Sequence, residues 1–310
     1  MENVLVYGAA GFVGTSLLPT LVSRGLMSLL LVDRNPIHQE ICARMAGMGA
    51  TVHTLVSDHI LGLPGLERVT KVVCLAGATS VDAALSQPAP AMRDNLAIAV
   101  DLAEWLRTRE GSVRTVYVSS DEVLGESRTP LKEDAPLNPT QPYAASKAAA
   151  EIIIRTFRDT YKLDISLLRS CNLIGAGQKK PKLLPVAVHC LLQDKPVPIH
   201  GTGRQEREWM AVEDFCNAIA ILLDESCPGG VYQAATGVHF SVLEVVEIVC
   251  KAIDKPMHLH HVADRLVQDR CYAMTSDKLR SLGWAPQVEP TFAITSAARA
   301  LRKSFLQRGL

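Results

Sequence analysis

The strongest constraint on the fold is a glycine-rich turn near the start of the chain. Residues 4–14 read VLVYGAAGFVG, in which a short apolar run is followed by Gly8, Gly11 and Gly14. Glycines at this spacing, after a strand and at the start of a helix, are typical of a dinucleotide-binding turn. Gly8 would allow the tight turn, Gly11 the close approach of a pyrophosphate, and Gly14 close packing of the helix on the strand. The first amide groups of such a helix attract phosphate oxygens.

Acidic residues after the next two predicted strands bear on the choice of cofactor. Asp33 ends the second strand, where a carboxylate can accept hydrogen bonds from an adenosine ribose and would repel a 2′-phosphate. This position favours NAD over NADP, although Arg34 follows directly and leaves tolerance of NADP open. Asp58, after the third strand, could reach the adenine, but a loop cap explains it equally well.

The first half of the chain alternates short apolar runs with helical patterns. We expect strands at residues 4–7, 29–32, 51–56, 71–75, 115–119 and 165–168, and helices at 14–24, 37–48, 92–107 and 143–161. Alternation of strands and helices implies a parallel sheet covered on both faces. The predicted fold class is therefore α/β, a Rossmann-type doubly wound parallel sheet with a smaller mixed α/β region after it.

The alternating pattern loosens after residue 171. Residues 172–206 are rich in Gly, Pro, Lys and Gln, which indicates substrate-facing loops with one helix at about 184–193. Further on we expect helices at 212–223, 241–253 and from 291, and a strand at 231–234. We therefore predict an NAD-binding domain at 1–171, with a return segment at about 207–236, interleaved with a substrate domain at 172–310.

Composition argues against several kinds of partner. The 310 residues include 32 basic and 32 acidic side chains, whereas surfaces that bind nucleic acid or membranes are basic. The eight cysteines form no CxxC pair, and no histidine cluster has metal-ligand spacing. The chain does not open with a signal core, and no apolar run approaches the length of a membrane span. We predict a cytoplasmic protein without a metal, a nucleic-acid partner or a membrane partner.

One motif at the start of a predicted helix could supply a base. Residues 143–151 read YAASKAAAE, which places Tyr143 and Lys147 on the same helix face. A cation beside a phenol favours the phenolate and would make Tyr143 a usable base near neutral pH. Taken alone, an exposed aromatic residue beside a solvated lysine is the commoner explanation.

A second motif follows the fifth predicted strand. The sequence SSDEVLGE places Ser120, Asp121 and Glu122 at the carboxyl end of that strand, where ligands of doubly wound sheets bind. A polar turn after a strand is common and would not by itself indicate catalysis. Together with the glycine-rich turn, Tyr143 and Lys147, however, these three residues form a predicted catalytic set.

Six segments, in this order, resemble the extended short-chain dehydrogenases/reductases that act on nucleotide sugars. Within that superfamily the chain looks most like the dTDP-glucose 4,6-dehydratase group. The segments are GAAGFVG, SSDEVLG, NPTQPYAASKAAAE, RSCNLIGAGQKKPKLLP, GTGRQEREWMAVEDFCNAI and DRCYAMTSDKLRSLGWAP. The resemblance covers nearly the whole chain.

The resemblance implies an NAD-dependent nucleotide-sugar 4,6-dehydratase and a role for each catalytic residue. Ser120 would hydrogen-bond the sugar 4-hydroxyl, Tyr143 would take its proton, and Lys147 would hold the nicotinamide ribose and lower the pKa of the tyrosine. Glu122 would remove the proton from carbon 5, and Asp121 would protonate the departing 6-hydroxyl. The hydride taken from carbon 4 would return to carbon 6. Elimination needs one acid and one base in different protonation states.

The same resemblance implies two sets of binding residues. The predicted cofactor-binding residues are Gly8, Gly11, Phe12, Val13, Gly14, Asp33, Arg34, Asp58, Leu75, Ala76, Gly77, Tyr143 and Lys147. The predicted substrate-binding residues are Ser80, Val81, Asp82, Asn172, Lys182, Leu183, Arg207 and Arg270. Cations beside a pyrophosphate suit charge-assisted hydrogen bonds.

Five positions depart from the dehydratase pattern. Within LAGATSVDAALSQP a Glu is replaced by Ala78, a His by Ser80, and an Arg-Ser pair by Ala83 and Ala84; further on, Leu124 replaces a Tyr. We expect these positions to flank the nicotinamide and the sugar. A different sugar, such as an N-acetylhexosamine or a glycuronic acid, is therefore open.

Other functions of the same fold also stay open. A UDP-glucuronate decarboxylase usually lacks the acid at Asp121, and 4-epimerases have a serine-rich strand end that this chain does not have. A non-catalytic NAD-binding regulator is disfavoured, because such proteins typically lose the Tyr or the Lys. Helices 92–107 and 143–161 match those of the four-helix dimer contact in this superfamily, so we expect a homodimer. Covering the sheet would explain their apolar residues as well.

Overall fold

The computed structural model describes residues 3–179 and 181–309. Its strands are β1 (Asn3–Tyr7), β2 (Ser28–Asp33), β3 (Thr51–Val56), β4 (Lys71–Cys74), β5 (Arg114–Val118), β6 (Ile165–Ser170), β7 (Asn172–Ile174), β8 (Val197–His200), β9 (Glu206–Ala211), β10 (Gly230–Ala234), β11 (His239–Ser241) and β12 (Leu259–Val262). Its α-helices are α1 (Phe12–Ser23), α2 (Gln39–Gly47), α3 (Val81–Ser86), α4 (Pro88–Thr108), α5 (Pro142–Tyr161), α6 (Leu183–Leu192), α7 (Val212–Leu222), α8 (Val242–Ile253), α9 (Asp277–Arg280) and α10 (Pro290–Gln307).

Seven strands form one sheet in the order β10-β6-β5-β4-β1-β2-β3, and every pair in it is parallel. The seven strands predicted from the sequence are the seven strands of this sheet. The strand order reverses between β1 and β4, which is the topological switch point of a doubly wound sheet. The predicted fold class is confirmed.

Helices cover both faces of the large sheet because its strands are apolar on both sides. In β1, Val4 and Val6 belong to one core cluster and Leu5 and Tyr7 to the other, since successive side chains point to opposite faces. The first cluster includes buried residues of α1 and α7, and the second those of α4 and α5. The two cores fix the helices, and with them the turns at the strand ends.

A smaller region lies at the carboxyl edge of the large sheet. It contains a three-stranded sheet, β11-β9-β7, and a parallel pair, β12-β8. Helices α6, α8 and α10 pack against it around a third core that includes Leu184, Val246 and Ile294. The chain then returns to the large sheet, because β10 pairs with β6.

Several short elements were not predicted from the sequence. Helix α4 begins at Pro88 rather than at residue 92, and the separate helix α3 precedes it, capped by the Ser80 hydroxyl, which accepts from the Ala83 N–H at 3.2 Å. The strands β7, β8, β9, β11 and β12 were also missed. In β9 this has a physical reason: Glu208 is buried, and its carboxylate accepts a hydrogen bond from the Gly237 N–H at 2.7 Å. A buried carboxylate breaks the apolar pattern by which strands are recognised.

The predicted domain limits, 1–171 and 172–310 with a return at about 207–236, stay a prediction. They include residues 1, 2, 180 and 310, which lie outside the described residues.

Replacing Gly14 should destabilise the fold. A Cβ there would lie 2.5 Å from the Gly8 carbonyl oxygen and 2.7 Å from that of Ala9, and backbone atoms cannot move aside as a side chain can. We expect Gly14→Ala to lower the free energy of unfolding by at least about 1–3 kcal/mol, the usual range for overpacking. Urea unfolding followed by circular dichroism measures this.

The matched control is Gly47→Ala, because Gly47 also lies in a helix and its added Cβ would meet nothing within 4 Å. The control should be as stable as the wild type or slightly more stable. Equal stability of the two variants would contradict the close packing of α1 on the turn after β1.

Candidate active site

A cavity of about 880 Å³ lies at the carboxyl edge of the large sheet, between that sheet and the smaller region. All but one of the predicted site residues line it. They are Gly8, Gly11, Phe12, Val13, Gly14, Asp33, Arg34, Asp58, Leu75, Ala76, Gly77, Ser80, Val81, Asp82, Ser120, Asp121, Glu122, Tyr143, Lys147, Asn172, Lys182, Leu183 and Arg207. Residues far apart in the sequence therefore meet at one place. Arg270 does not line the cavity.

The glycine-rich turn leaves room and donors for a phosphate group. Gly8 has a φ of +92°, and a Cβ there would lie 2.6 Å from the backbone nitrogen of Ala76, so the turns after β1 and β4 touch. Helix α1 begins at Phe12, and its N-cap Gly11 offers no side chain to its first amide groups. Those N–H groups are free to bind anionic oxygens.

Asp33 is a fixed and largely buried carboxylate that lines the cavity beside the glycine-rich turn. It accepts hydrogen bonds from the backbone N–H groups of Ala10 at 3.0 Å and Asn35 at 2.8 Å. The neighbouring Arg34 guanidinium forms ion pairs with Asp58 and Asp94, each at 3.3 Å. With Arg34 shared between two carboxylates and Asp33 held in place, this end of the cavity fits a ribose hydroxyl better than a 2′-phosphate. The residues present thus fit NAD.

The predicted catalytic residues of the β5 strand end are held by one another. The Ser120 hydroxyl donates to Asp121 Oδ1 at 3.0 Å, and Ser120 is close enough to the Tyr143 side chain to lower the pKa of its phenol. The Glu122 backbone N–H donates to Asp121 Oδ1 at 2.9 Å. Ser120 therefore stands between the phenol and the first carboxyl group.

The two adjacent carboxyl groups have different electrostatic surroundings. Burial and the negative charge of Glu122 raise the pKa of Asp121 to about 7, against the hydrogen bond from Ser120. Burial raises the pKa of Glu122 as well, but the charges of Arg207 and Lys182 and a hydrogen bond from Gln141 oppose that rise. Asp121 is thus suited to keep a proton near neutral pH, and Glu122 faces the cations.

Tyr143 and Lys147 are both buried on the cavity side of α5. Burial, Glu122 and Asp121 raise the pKa of Tyr143, opposed by the nearby Ser120 hydroxyl. The Lys147 ammonium donates to the Val118 carbonyl oxygen at 2.7 Å. Burial and the two carboxyl groups dominate the pKa of Tyr143, and a lowering of that pKa by Lys147 stays a prediction.

Gln141 is a site residue that the sequence interpretation missed. Its Oε1 atom accepts from the Tyr143 backbone N–H at 2.7 Å and caps α5, while its Nε2 atom donates to Glu122 Oε2 at 2.6 Å. One side chain thus fixes both the start of the tyrosine helix and the second carboxyl group. A polar residue directly before Pro142 was the available signal, since proline favours the first position of a helix.

Cations gather on the side of the cavity formed by the smaller region. The Arg207 guanidinium donates to the Asp269 carbonyl oxygen at 3.0 Å and lies 4.6 Å from the centre of the Tyr272 ring. Lys182 donates to the Thr79 carbonyl oxygen at 3.1 Å, which joins the start of α6 to the loop before α3. Positive charge therefore lines the side of the cavity that the smaller region forms.

Arg265 lies in the cavity wall, and Arg270 does not. Arg270 is exposed, and its backbone N–H donates to Glu126 at 2.7 Å. Its neighbour Asp269 is buried and accepts from the Tyr272 hydroxyl at 2.7 Å, which leaves the Arg270 side chain on the solvent side. Arg265 lines the cavity and binds Asp82 through Nε at 2.7 Å. Arg265 is thus a cavity residue that the sequence interpretation did not name, and a role of Arg270 in substrate binding stays a prediction.

Most of the departures from the dehydratase pattern lie away from the cavity. Leu124 is buried in the first core cluster, and Ala78, Ala83 and Ala84 do not line the cavity. Only Ser80 does. The 3₁₀ turn after Ser120 directs Leu124 into the core. The expectation that these positions flank the nicotinamide and the sugar stays a prediction.

Two further features are absent from residues 3–179 and 181–309. No helix in these ranges is long and apolar enough to cross a membrane. No group of His, Cys, Asp and Glu in them is arranged to hold a metal ion.

Comparisons with known proteins agree with this geometry. The NAD dependent epimerase/dehydratase family matches residues 4–235. A dTDP-glucose 4,6-dehydratase of Xanthomonas campestris pv. campestris is 30% identical over 322 residues, which cover 92% of this chain and 89% of that protein. The dTDP-glucose 4,6-dehydratase DesIV of Streptomyces venezuelae, solved with NAD bound, has a TM-score of 0.91 at 27% identity and covers 99% of this chain and 98% of its own. The UDP-glucose 4-epimerase of Thermus thermophilus, solved with NAD, has a TM-score of 0.86 at 25% identity, covering 97% and 99%.

Fold, cavity and comparisons together define an NAD-dependent enzyme of the extended short-chain dehydrogenase/reductase type. The chain belongs to the NAD dependent epimerase/dehydratase family. The predicted superfamily and the predicted cofactor NAD are thereby confirmed. Which reaction of the family it catalyses is a separate question.

Asp121→Asn should change how stability depends on pH. Because the pKa of Asp121 rises from 3.8 to about 7 in the folded chain, its proton stabilises the fold fully below about pH 4, and this stabilisation is lost as the pH rises to about 7. The free energy of unfolding of the wild type, relative to the variant, should fall by on the order of 2–4 kcal/mol over that interval. Urea unfolding at several pH values measures it.

Asp159→Asn is the control, because Asp159 is exposed and a hydrogen bond from Arg158 lowers the pKa of its carboxyl. The free energy of unfolding of the wild type, relative to this variant, should not fall as the pH rises. Curves for wild type and Asp121→Asn that run parallel with pH would contradict a raised pKa at Asp121.

Proposed function

We propose that the chain is a nucleotide-sugar 4,6-dehydratase, which converts an NDP-hexose to an NDP-4-keto-6-deoxyhexose. The observation that carries this proposal is the pair Asp121 and Glu122. Two adjacent buried carboxyl groups, one with a pKa of about 7 and one facing Arg207 and Lys182, stand beside Ser120 and Tyr143. Elimination of water requires such an acid and base together, whereas epimerisation at carbon 4 needs neither.

In the first step the sugar is oxidised at carbon 4. Ser120 binds the 4-hydroxyl, and the Tyr143 oxygen takes its proton as the C4–H bond breaks and a ketone forms. When bound in this cavity, NAD would supply the acceptor for the hydride of carbon 4 and the donor for the later reduction at carbon 6. Lys147 lies one helical turn after Tyr143, where its ammonium can hold the nicotinamide ribose.

In the second step water leaves, and in the third the sugar is reduced. The ketone acidifies the proton on carbon 5, which Glu122 removes. Asp121 gives its proton to the 6-hydroxyl, which departs as water and leaves a carbon–carbon double bond. Reduction at carbon 6 and return of a proton from Glu122 to carbon 5 complete a redox-neutral reaction. The proton that Tyr143 took from the 4-hydroxyl then passes to Asp121 by way of Ser120, whose hydroxyl donates to Asp121, so that both groups return to their starting states.

The cations of the smaller region suit the diphosphate of the substrate. Arg207 and Lys182 were predicted for this role, and Arg265 also lines this side of the cavity. Asn172 pairs with Trp209 between β7 and β9, so that its side chain lies at the same wall. Charge-assisted hydrogen bonds from several cations are the usual means of binding a pyrophosphate. Ser80, Val81, Asp82 and Leu183 would complete the substrate side.

The similarity to dTDP-glucose 4,6-dehydratases of Xanthomonas and Streptomyces supports dehydration. The similarity to a UDP-glucose 4-epimerase makes epimerisation the main alternative, and decarboxylation of UDP-glucuronate is another. Both alternatives begin with the same oxidation at carbon 4. They differ in the mass of the product, and this difference provides the test.

The purified protein, NAD and a panel of dTDP-glucose, UDP-glucose, UDP-N-acetylglucosamine and UDP-glucuronate should yield one product that has lost water. Mass spectrometry of the products identifies it and names the sugar. Loss of carbon dioxide, or an isomer of unchanged mass, would overturn dehydration in favour of decarboxylation or epimerisation.

Single variants should separate the steps. Tyr143→Phe should abolish turnover but still bind NAD, because only the hydroxyl is lost.

Glu122→Gln should oxidise carbon 4 but accumulate the 4-keto sugar, since no base removes the proton from carbon 5. Normal product from Glu122→Gln would exclude the role given to that residue.

We also propose that the protein forms a homodimer. A cytoplasmic location stays a prediction. Val100 of α4 and Ile152 of α5 are apolar and 44% and 54% exposed, on helices that pack side by side. Ile152→Asp should convert a dimer to a monomer in sedimentation analysis, whereas Phe292→Asp, at a residue 66% exposed on α10, should not. A wild-type monomer would contradict the dimer.

A further inference from the structure

A fully buried ion pair lies beneath the catalytic residues and takes no direct part in the proposed chemistry. Glu151 of α5 and Arg169 of β6 are both 0% exposed. Arg169 Nη2 donates to Glu151 Oε1 at 2.5 Å and Nε donates to Oε2 at 3.2 Å. A buried pair must offset a large loss of hydration, so its stabilising value alone does not explain it.

Further hydrogen bonds connect the pair to the end of β5. The Ser119 hydroxyl donates to Glu151 Oε2 at 3.0 Å, and Ser119 directly precedes Ser120. Within α5, Glu151 follows Lys147 by one helical turn, and Lys147 follows Tyr143 by one turn, so the three share a buried face. The pair therefore joins the helix of the phenol to the strand end of the carboxyl groups.

The network also reaches the substrate wall. Arg169 Nη1 donates to Gln233 Oε1 at 3.2 Å, and Gln233 Nε2 donates to the carbonyl oxygens of Leu131 at 2.9 Å and Thr275 at 3.3 Å. The segment before Thr275 carries Tyr272, whose ring lies against Arg207. Arg169 is thus joined through Gln233 to the segment that follows Tyr272.

We propose that Glu151, held by Arg169, is a positioning residue for this reaction: it fixes α5 on the end of β5 and places a negative charge beneath the Lys147 ammonium. The expected effect on kcat rests on the proposed dehydratase function, because it concerns the step in which Tyr143 and Ser120 act together. The expected effect on the titration of Lys147 does not rest on that function, because it involves only side chains of the protein.

The surroundings of Lys147 explain why the charge matters. Lys147 is buried and faces the Cys74 thiol of β4, the Tyr117 ring of β5 at 5.2 Å, and Tyr143 and Glu151 of its own helix. Burial lowers the pKa of Lys147, and the nearby Cys74 and Glu151 oppose that fall. Without the carboxylate of Glu151, Lys147 should lose its proton at a lower pH.

The test compares Glu151→Gln with Asp164→Asn. Asp164 pairs with Arg114, whose side chain is also buried, but at the opposite end of β5 and β6. Competitive acetylation of the full-length protein, followed by peptide mass spectrometry, titrates the Lys147 amine without any need for turnover. Steady-state kinetics and thermal unfolding are measured on the same samples.

We expect both variants to lose stability, and only Glu151→Gln to change the site. The Lys147 titration should move down by about one pH unit, and kcat should fall at least about tenfold with KM little changed, because the phenol is displaced from Ser120. The double variant Glu151→Gln/Arg169→Met removes the unpaired arginine charge and should regain stability. The double variant should regain neither the wild-type kcat nor the pH at which Lys147 titrates in the wild type.

Two results would overturn the proposal. One is a Lys147 titration in Glu151→Gln that matches the wild type and Asp164→Asn. The other is a double variant that regains kcat together with stability, which would make the pair structural only. If the wild type converts no sugar of the panel, the dehydratase function fails, while the Lys147 titration still decides the role of Glu151.

Discussion

The parallel pairing of β1, β2, β4, β5 and β6 is the constraint on which the site depends. Parallel strands place all their following turns at the same edge of the sheet. The glycine-rich turn, Asp33, the loop at Gly77 and the carboxyl groups after β5 therefore converge, although they are far apart in the sequence. The smaller region closes that edge and adds the cations. Neither the large sheet with its turns nor the smaller region contains all the residues of the candidate site.

Burial of ionisable side chains determines their pKa values in the site as well as the stability of the fold. It raises the pKa of Asp121 to about 7 and lowers that of Lys147, and nearby charges then set how far each group shifts. Glu122 differs from Asp121 mainly through its cations and through Gln141. The buried pair of Glu151 and Arg169 extends the same logic below the site. A protein that keeps so many ionisable groups out of water has to hold each of them with a specific partner.

The sequence predicted the large sheet and most of the site, since strand–helix alternation and strand-end motifs are local signals. It failed where the signal depends on tertiary structure. Arg265 was not recognised as a cavity residue, because its place in the wall depends on the tertiary contact with Asp82. The helical spacing of Tyr143 and Lys147 likewise says nothing of the two carboxyl groups across the strand end, which raise the pKa of the phenol. Short strands such as β9 carry buried charges and lack an apolar pattern.

The central claim is that oxidation at carbon 4, loss of water and reduction at carbon 6 occur on one bound sugar. The most direct measurement starts from dTDP-glucose that carries deuterium at carbon 4 and locates the label in the product by NMR. The account predicts that the deuterium appears in the methyl group at carbon 6. Recovery of the label at carbon 4 would contradict the proposed dehydration and leave an enzyme that oxidises and restores the same carbon.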